Sequence, residues 1–289
     1  MAISASLVKE LRDKTGAGMM DCKKALEESN GDFEKAIEFL RKKGAAVAAK
    51  RAEKSTNEGI ISTRIFNNGK SAAIVEVNCE TDFVANSSDF LEFSNFVLNT
   101  IVDKLPATID ELLSLSYQNK KVEEELNSLI GKIGEKIQVS RFAIENTENG
   151  QVVDYVHHGS KLGVLIRVDN VPSNSNEELQ SLLKDIAMQV AAMKPFYVYR
   201  EEVPKEVIEK EIEIYKEVSR KEGKPEQVLD KIAQGKLNKY YQENCLYEQA
   251  FIKDNTKTVG QLIEEYNKKN SSQVKLIRFK RFHISDENK

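Results

Sequence analysis

Two periods of apolar and polar residues run along the chain, and the places where one gives way to the other mark its elements. Near the start, Leu7, Val8 and Leu11 form one apolar stripe, Cys22, Ala25 and Leu26 a second, and Phe33, Ala36, Ile37 and Leu40 a third. The last has the i, i+3, i+4, i+7 spacing of an amphipathic helix, so three short helices are predicted. Gly16-Ala17-Gly18 separates the first two, Asn30-Gly31 stops the second, Asp32 caps the third and Gly44 ends it. Residues 45–54, alanine-rich and charged, read as a helical linker. So small a bundle has little core and suits a binding module better than a catalytic scaffold.

Beyond residue 54 the period shortens. Residues 60–66 and 71–79 flank the turn Asn67-Asn68-Gly69 and predict a β-hairpin. After Glu80-Thr81-Asp82-Phe83 comes a helix carrying Phe90, Phe93, Val97 and Ile101, then another carrying Val122, Leu126, Leu129, Ile130 and Ile133. A second round follows, with strand-like residues 137–144 and 152–156 on either side of Glu148-Asn149-Gly150. Residues 161–169 echo residues 70–78, and a helix with Leu179, Leu182, Leu183, Ile186 and Val190 on one face closes at Pro195. Two rounds of strands followed by helix predict a duplicated α+β core.

Pro204 opens a different texture. Ile208, Ile212, Tyr215 and Val218 make one stripe, and Leu229, Ile232, Leu237 and Tyr240 another, broken by Gly223-Lys224-Pro225. Glu and Lys crowd the other faces, the pattern of an antiparallel helical hairpin too short for a sustained coiled coil. Thr258-Val259-Gly260-Gln261 has the form of a capping box, and Ile277 and Phe279 alternate with Arg278 and Lys280 in a final strand. The resulting division is a three-helix domain and linker over 1–54, a first core unit over 55–140 and a second over 141–289. The hairpin, about 204–241, and a C-terminal module are inserted into or appended to the second unit.

Charge and cysteine usage narrow the function classes. Lys+Arg number 43 against 46 Asp+Glu, so the chain of 289 residues lacks the positive excess that nucleic-acid binding draws on. Cys22, Cys79 and Cys245 are odd in number and far apart, as reduced thiols of a cytosolic protein are. Helical patterning begins almost at the N-terminus, and no apolar run approaches the roughly 20 residues that span a bilayer. A cytoplasmic location, with neither membrane nor nucleic acid as direct partner, is the expectation.

Candidate chemistry is sparse. Gly69-Lys70-Ser71 ends like a phosphate-binding loop, but Arg64 stands where the first glycine belongs, and the turn lies in a hairpin. His157-His158 are adjacent and have no Cys or His partners at metal-binding spacing, so no metal site is expected. No strained Gly-x-Ser-x-Gly turn presents a nucleophile. Two segments carry more. Met19-Met20, straight after a glycine turn, are either one core and one exposed residue or a pliable apolar contact surface. Phe83, between a strand and a helix, is either a core residue folding back or an exposed aromatic wedge beside Asp82.

Those two segments also carry a resemblance. Leu7-Val8-Lys9-Glu10-Leu11-Arg12 with Thr15-Gly16-Ala17-Gly18-Met19-Met20-Asp21-Cys22-Lys23-Lys24-Ala25-Leu26 resembles the N-terminal signature of the bacterial elongation factor Ts family. Glu76-Val77-Asn78-Cys79-Glu80-Thr81-Asp82-Phe83-Val84-Ala85 resembles its second signature, and His158-Gly159, Lys194-Pro195 and Thr258-Val259-Gly260-Gln261-Leu262 also fit. The resemblance implies a ubiquitin-associated-like N-terminal bundle, a core of two related α+β subdomains, a helical arm and a C-terminal module. It implies a non-enzymatic guanine-nucleotide exchange factor for the GTPase elongation factor Tu. Thr81, Asp82, Phe83 and Val84 would disturb the GTPase's magnesium site, with Phe83 wedged between two of its helices. Arg12, Met19 and Met20 would dock the N-terminal domain on the same partner, and His158 would face it from the core. No cofactor is implied, and a homodimer or two-to-two complex through core or arm is a further partner expectation. The alternatives are a ubiquitin-associated-like adaptor and a chaperone-type binding protein, neither of which would prefer the nucleotide-free GTPase.

Overall fold

The computed structural model describes residues 3–172 and 177–286. Three N-terminal helices, α1 (Ala5–Thr15), α2 (Met19–Glu28) and α3 (Phe33–Lys50), bury Val8, Leu11, Cys22, Ala25, Leu26 and Ala36 between them. The punctuation acts as its residue types allow. The Ser4 hydroxyl accepts the Leu7 amide, Gly16 closes α1 in the left-handed region, and the Asp32 carboxylate accepts the Lys35 amide.

The chain then forms β1 (Glu58–Phe66), β2 (Ser71–Cys79), the single-turn helix α4 (Asp82–Ala85), α5 (Ser88–Lys104) and α6 (Ile109–Ser114). A two-residue-stranded hairpin, β3 (Ser116–Tyr117) and β4 (Lys120–Lys121), leads into α7 (Val122–Ile133) and β5 (Ile137–Asn146). Next come β6 (Gly150–Val156), β7 (Leu162–Asp169) and α8 (Glu177–Met193). After α9 (Lys205–Lys221) and α10 (Glu226–Asn244), the chain ends in β8 (Ala250–Phe251), β9 (Asp254–Thr258), α11 (Val259–Asn270) and β10 (Lys275–His283).

Two antiparallel three-stranded sheets organise the core, in the orders β1-β2-β5 and β10-β7-β6. The echoing segments are the two central strands, β2 and β7. Successive strand residues point to opposite faces. On β2, Ala73, Val75, Val77 and Cys79 therefore meet α5 residues Phe90, Phe93, Val97 and Ile101. Ala72 and Ile74 turn the other way, to Val152, Leu165 and Phe282 of the second sheet and to Ile284 just beyond it. On β7, Val164, Ile166 and Val168 meet α8. The layers thus run helix, sheet, sheet, helix, and every residue of β2 is buried. That double burial is why the central strands read as near-continuous apolar runs. The Glu76 carboxylate, on the inner side, is paired with Arg141 at 2.7 Å, and Arg141 also reaches Asp286 at 2.8 Å and lies over the Phe282 ring. A buried carboxylate is tolerable only with such a partner.

Three sequence expectations need adjustment. Helix α3 does not end at Gly44 but runs through it to Lys50, because Gly44 lies where α3 crosses α7, and so takes in most of the run expected as a linker. The 140/141 boundary falls inside β5, which pairs with β2 from Cys79↔Ile137 to Ser71↔Asn146, so residues 141–146 go with the first sheet. Periodicity identifies a strand but not its partner. In the hairpin of α9 and α10, the buried seam of α10 is Leu229, Ala233, Leu237 and Tyr241 rather than Ile232 and Tyr240, and Val218 is exposed. The chain leaves the second sheet after β7 and rejoins it as β10, which pairs with β7, so the helical hairpin lies within that unit.

Candidate functional site

The loop leaving the central strand β2 is held from below by a set of directed bonds. Glu80 accepts both contacts of the Arg51 guanidinium at 2.9 Å and the Lys136 amide at 2.6 Å. The Lys136 amide and the Arg51 guanidinium stabilise the charged form, so the Glu80 carboxyl lies below its ordinary range. Thr81 donates its amide and hydroxyl to the two oxygens of Glu135, at 3.1 and 2.8 Å. The Thr81 hydroxyl also accepts the Val84 amide and starts α4. Beneath it, Cys79 is buried, with its thiol against the Thr81 carbonyl at 3.1 Å and its pKa raised to about 12 by burial. It is a packing residue, not a nucleophile.

On this anchored backbone Phe83 projects outward with 84 % of its surface exposed. The core alternative for Phe83 therefore does not hold. Asp82 is exposed beside it, its carbonyl accepting the Asn86 side-chain amide at 2.8 Å, while Val84 packs partly against the first core. The turn between β6 and β7 lies at the same end of the molecule. Its Ser160 carbonyl accepts the Ile61 amide at 2.6 Å, and Lys161 bonds Glu58 at 2.6 Å. The Glu58 bond, helped by the nearby Asp82 charge, raises the Lys161 pKa. Of the two histidines in that turn, His157 is tied to Tyr155, Nδ1 to Oη 2.8 Å, and His158 is exposed.

In the N-terminal bundle, Arg12, Met19 and Met20 are all exposed, the methionines by 45 and 75 %. Neither methionine enters the bundle core. The bundle approaches the loop region through Lys132, which lies against Gly16 and bonds Asp89 of α5 at 2.7 Å. A cleft of about 490 Å³ lies between α1, α3 and α7, beside the contact of α3 with α7. Its charged lining is paired, Lys43 with Asp21 and Arg41 with Glu124. Among the described residues no group of three His, Cys, Asp or Glu side chains could hold a metal ion, and no helix is long and apolar enough to cross a membrane.

The anchors Arg51, Glu135, Lys136 and Lys161 escaped sequence reasoning, because they come from three separate segments and none lies in a motif. Phe196, 74 % exposed on backbone pinned by the Asn244 carbonyl, also escaped it. Its signal was present in Lys194-Pro195-Phe196, an aromatic directly after a helix-closing proline.

The profile of a family described as Elongation factor TS matches residues 80–286, beginning at the anchored Glu80. The chain is 45 % identical over 289 residues to Elongation factor Ts of Chloroherpeton thalassium, covering 99 % of both chains. It is 47 % identical to that of Chlorobaculum parvum, over 98 % of both. Against that of Clostridium botulinum it is 45 % identical over 97 % of this chain and 92 % of the relative. With a matching family profile and identity of this level over nearly the whole length, the chain belongs to the elongation factor Ts family.

Proposed function

We propose that this protein is a translation elongation factor that promotes release of GDP from the GTPase elongation factor Tu, and that it does so as a non-enzymatic exchange factor. The observation that carries the reading is Phe83, an exposed ring on backbone held by Thr81–Glu135 and Glu80–Arg51 bonds. A ring so presented loses little further freedom on insertion into a partner, which favours a wedge. Asp82 beside it brings negative charge toward the partner's magnesium site. Arg12, Met19 and Met20 dock the bundle, acting as a ubiquitin-associated-like domain, and His158 makes a core contact. The two sheet-and-helix units are related copies, and the arm serves association with itself or another protein.

Magnitudes require several contacts. Burying one Phe contributes about 1.5–3 kcal/mol. Accelerating release ten-thousandfold takes about 5.5 kcal/mol off the barrier. Phe83 alone falls short, so the loop, the methionines and His158 act together. Linkage adds a requirement: whatever factor this protein removes from GDP affinity, GDP removes from its own.

The test is release of labelled GDP from elongation factor Tu with and without this protein, together with gel filtration of the pair. Faster release, and a complex that GDP and magnesium dissolve, are expected. Equal complex with and without nucleotide would point instead to an adaptor.

A further inference from the structure

Helix α3 joins the two surfaces assigned above. Its first half contributes Ala36 to the bundle core, its second half sets Val47 and Ala48 against the first core unit, and Arg51 at its end grips Glu80. Eighteen residues make one continuous rod of about 27 Å. Midway it crosses α7 with backbone against backbone. A Cβ on Gly44 would lie 2.3 Å from the Asn127 carbonyl oxygen, and one on Gly131 would lie 2.9 Å from the Gly44 Cα. Neither obstacle is a side chain that could swing away. Arg41 and Glu124 clamp the crossing at 2.9 Å.

We propose that α3 is a rigid strut and that the Gly44–Gly131 crossing is its positioning contact, holding the Arg12, Met19 and Met20 face and the Phe83 loop in one fixed orientation. The proposal rests on the exchange-factor reading for its consequence and on geometry for its cause. Glycine is a poor residue for a helix interior, and alanine there strengthens the helix. A methyl group at either position should therefore leave α3 helical while forcing the two helices apart. With the bundle freed, its contact with the GTPase becomes a tethered one of lower effective concentration.

Two measurements on the full chain test this. Spin labels at Lys24→Cys in α2 and Asn95→Cys in α5 report the orientation of the bundle, since the native Cys22, Cys79 and Cys245 are buried and should remain unlabelled. The parent is expected to give one narrow distance distribution, and Gly44→Ala a shifted or broadened one, with Gly131→Ala as the milder variant. In GDP release at a fixed concentration of factor, the half-saturating concentration of the GTPase–GDP complex should rise about tenfold with Gly44→Ala while the maximal rate stays within about threefold; loss of folded protein would lower the maximal rate alone. An unchanged distance distribution in both variants overturns the strut. A broadened distribution with unchanged half-saturation overturns its role in exchange. If the parent releases no GDP, the exchange reading fails, while the distance measurement still decides whether the crossing orients the bundle.

Discussion

Phe83 and Phe90 stand seven residues apart on consecutive helices and have opposite fates. Phe90, on α5, is fully buried against β2, whereas Phe83, on α4, is 84 % exposed. Helix α5 has seventeen residues and an apolar face that the sheet covers. Helix α4 has four, of which Ala85 and part of Val84 pack inward, and its first turn is held by polar anchors at Thr81. One region is stabilised by apolar burial, the other by hydrogen bonds that leave a large apolar group in water. The contrast separates side chains that stabilise this molecule from side chains it presents.

The largest effect on folding should come from the buried member. Phe90→Ala is expected to cost about 3–5 kcal/mol in urea unfolding through the cavity it leaves, with GDP release normal in the folded fraction. A cost under 1 kcal/mol would break the comparison. Removing an anchor should come next. Glu135→Ala strips two bonds from Thr81 at a partly exposed site and is expected to cost about 1–2 kcal/mol. It should also slow GDP release more than the lost stability explains, because Phe83 then rides on a looser loop.

Acid should act unequally on the two helices. Glu80 is held below its ordinary range by the Lys136 amide and Arg51, and Asp169 by Arg167 and Thr147. A lowered folded pKa means stability that is complete above the ordinary carboxylate range and is lost as pH falls through the folded value. Below about pH 4, amide hydrogen exchange is therefore expected to open at Thr81 and Val84 before it opens along α5, whose buried face carries no titrating group. Simultaneous opening would show that the anchors contribute little. His283 works in the same direction at higher pH. Its pKa is lowered by burial and by Arg281, so its share of stability is complete above the ordinary imidazole value and declines as pH falls below it.

The smallest effect on folding belongs to Phe83→Ala, expected within about 1 kcal/mol of the parent, the range of surface substitutions. GDP release should nonetheless slow substantially. Asp82→Ala should likewise spare the fold, and its effect on release should shrink once magnesium has been chelated from the GTPase. A strongly destabilised Phe83→Ala with normal release would sink the wedge.

Much of the architecture was legible in the residue pattern, and the reason is local. The Asn30-Gly31 stop, the Asp32 cap and the Thr258–Gln261 capping box depend on neighbours within a few positions and form as read, as do the helix periods outside the α9–α10 hairpin. The likeness of 70–78 to 161–169 was legible too, since both are central strands with two covered faces. The pattern also marked Thr81 to Val84 and the methionine turn as unusual, but it left Phe83 between core and surface. That choice depended on Glu135, Arg51 and Lys136, which are brought under the loop only when β5 pairs with β2 and α3 lies across α7. Gly44 shows the same division. Read along the chain, a glycine after an apolar stripe ends a helix. In three dimensions it is where a second helix approaches too closely for any side chain, and the helix continues. Periodicity and capping are short-range and are written in order along the chain. Partner strands, helix crossings and the exposure of a single ring are settled by packing between distant segments, which no local pattern encodes.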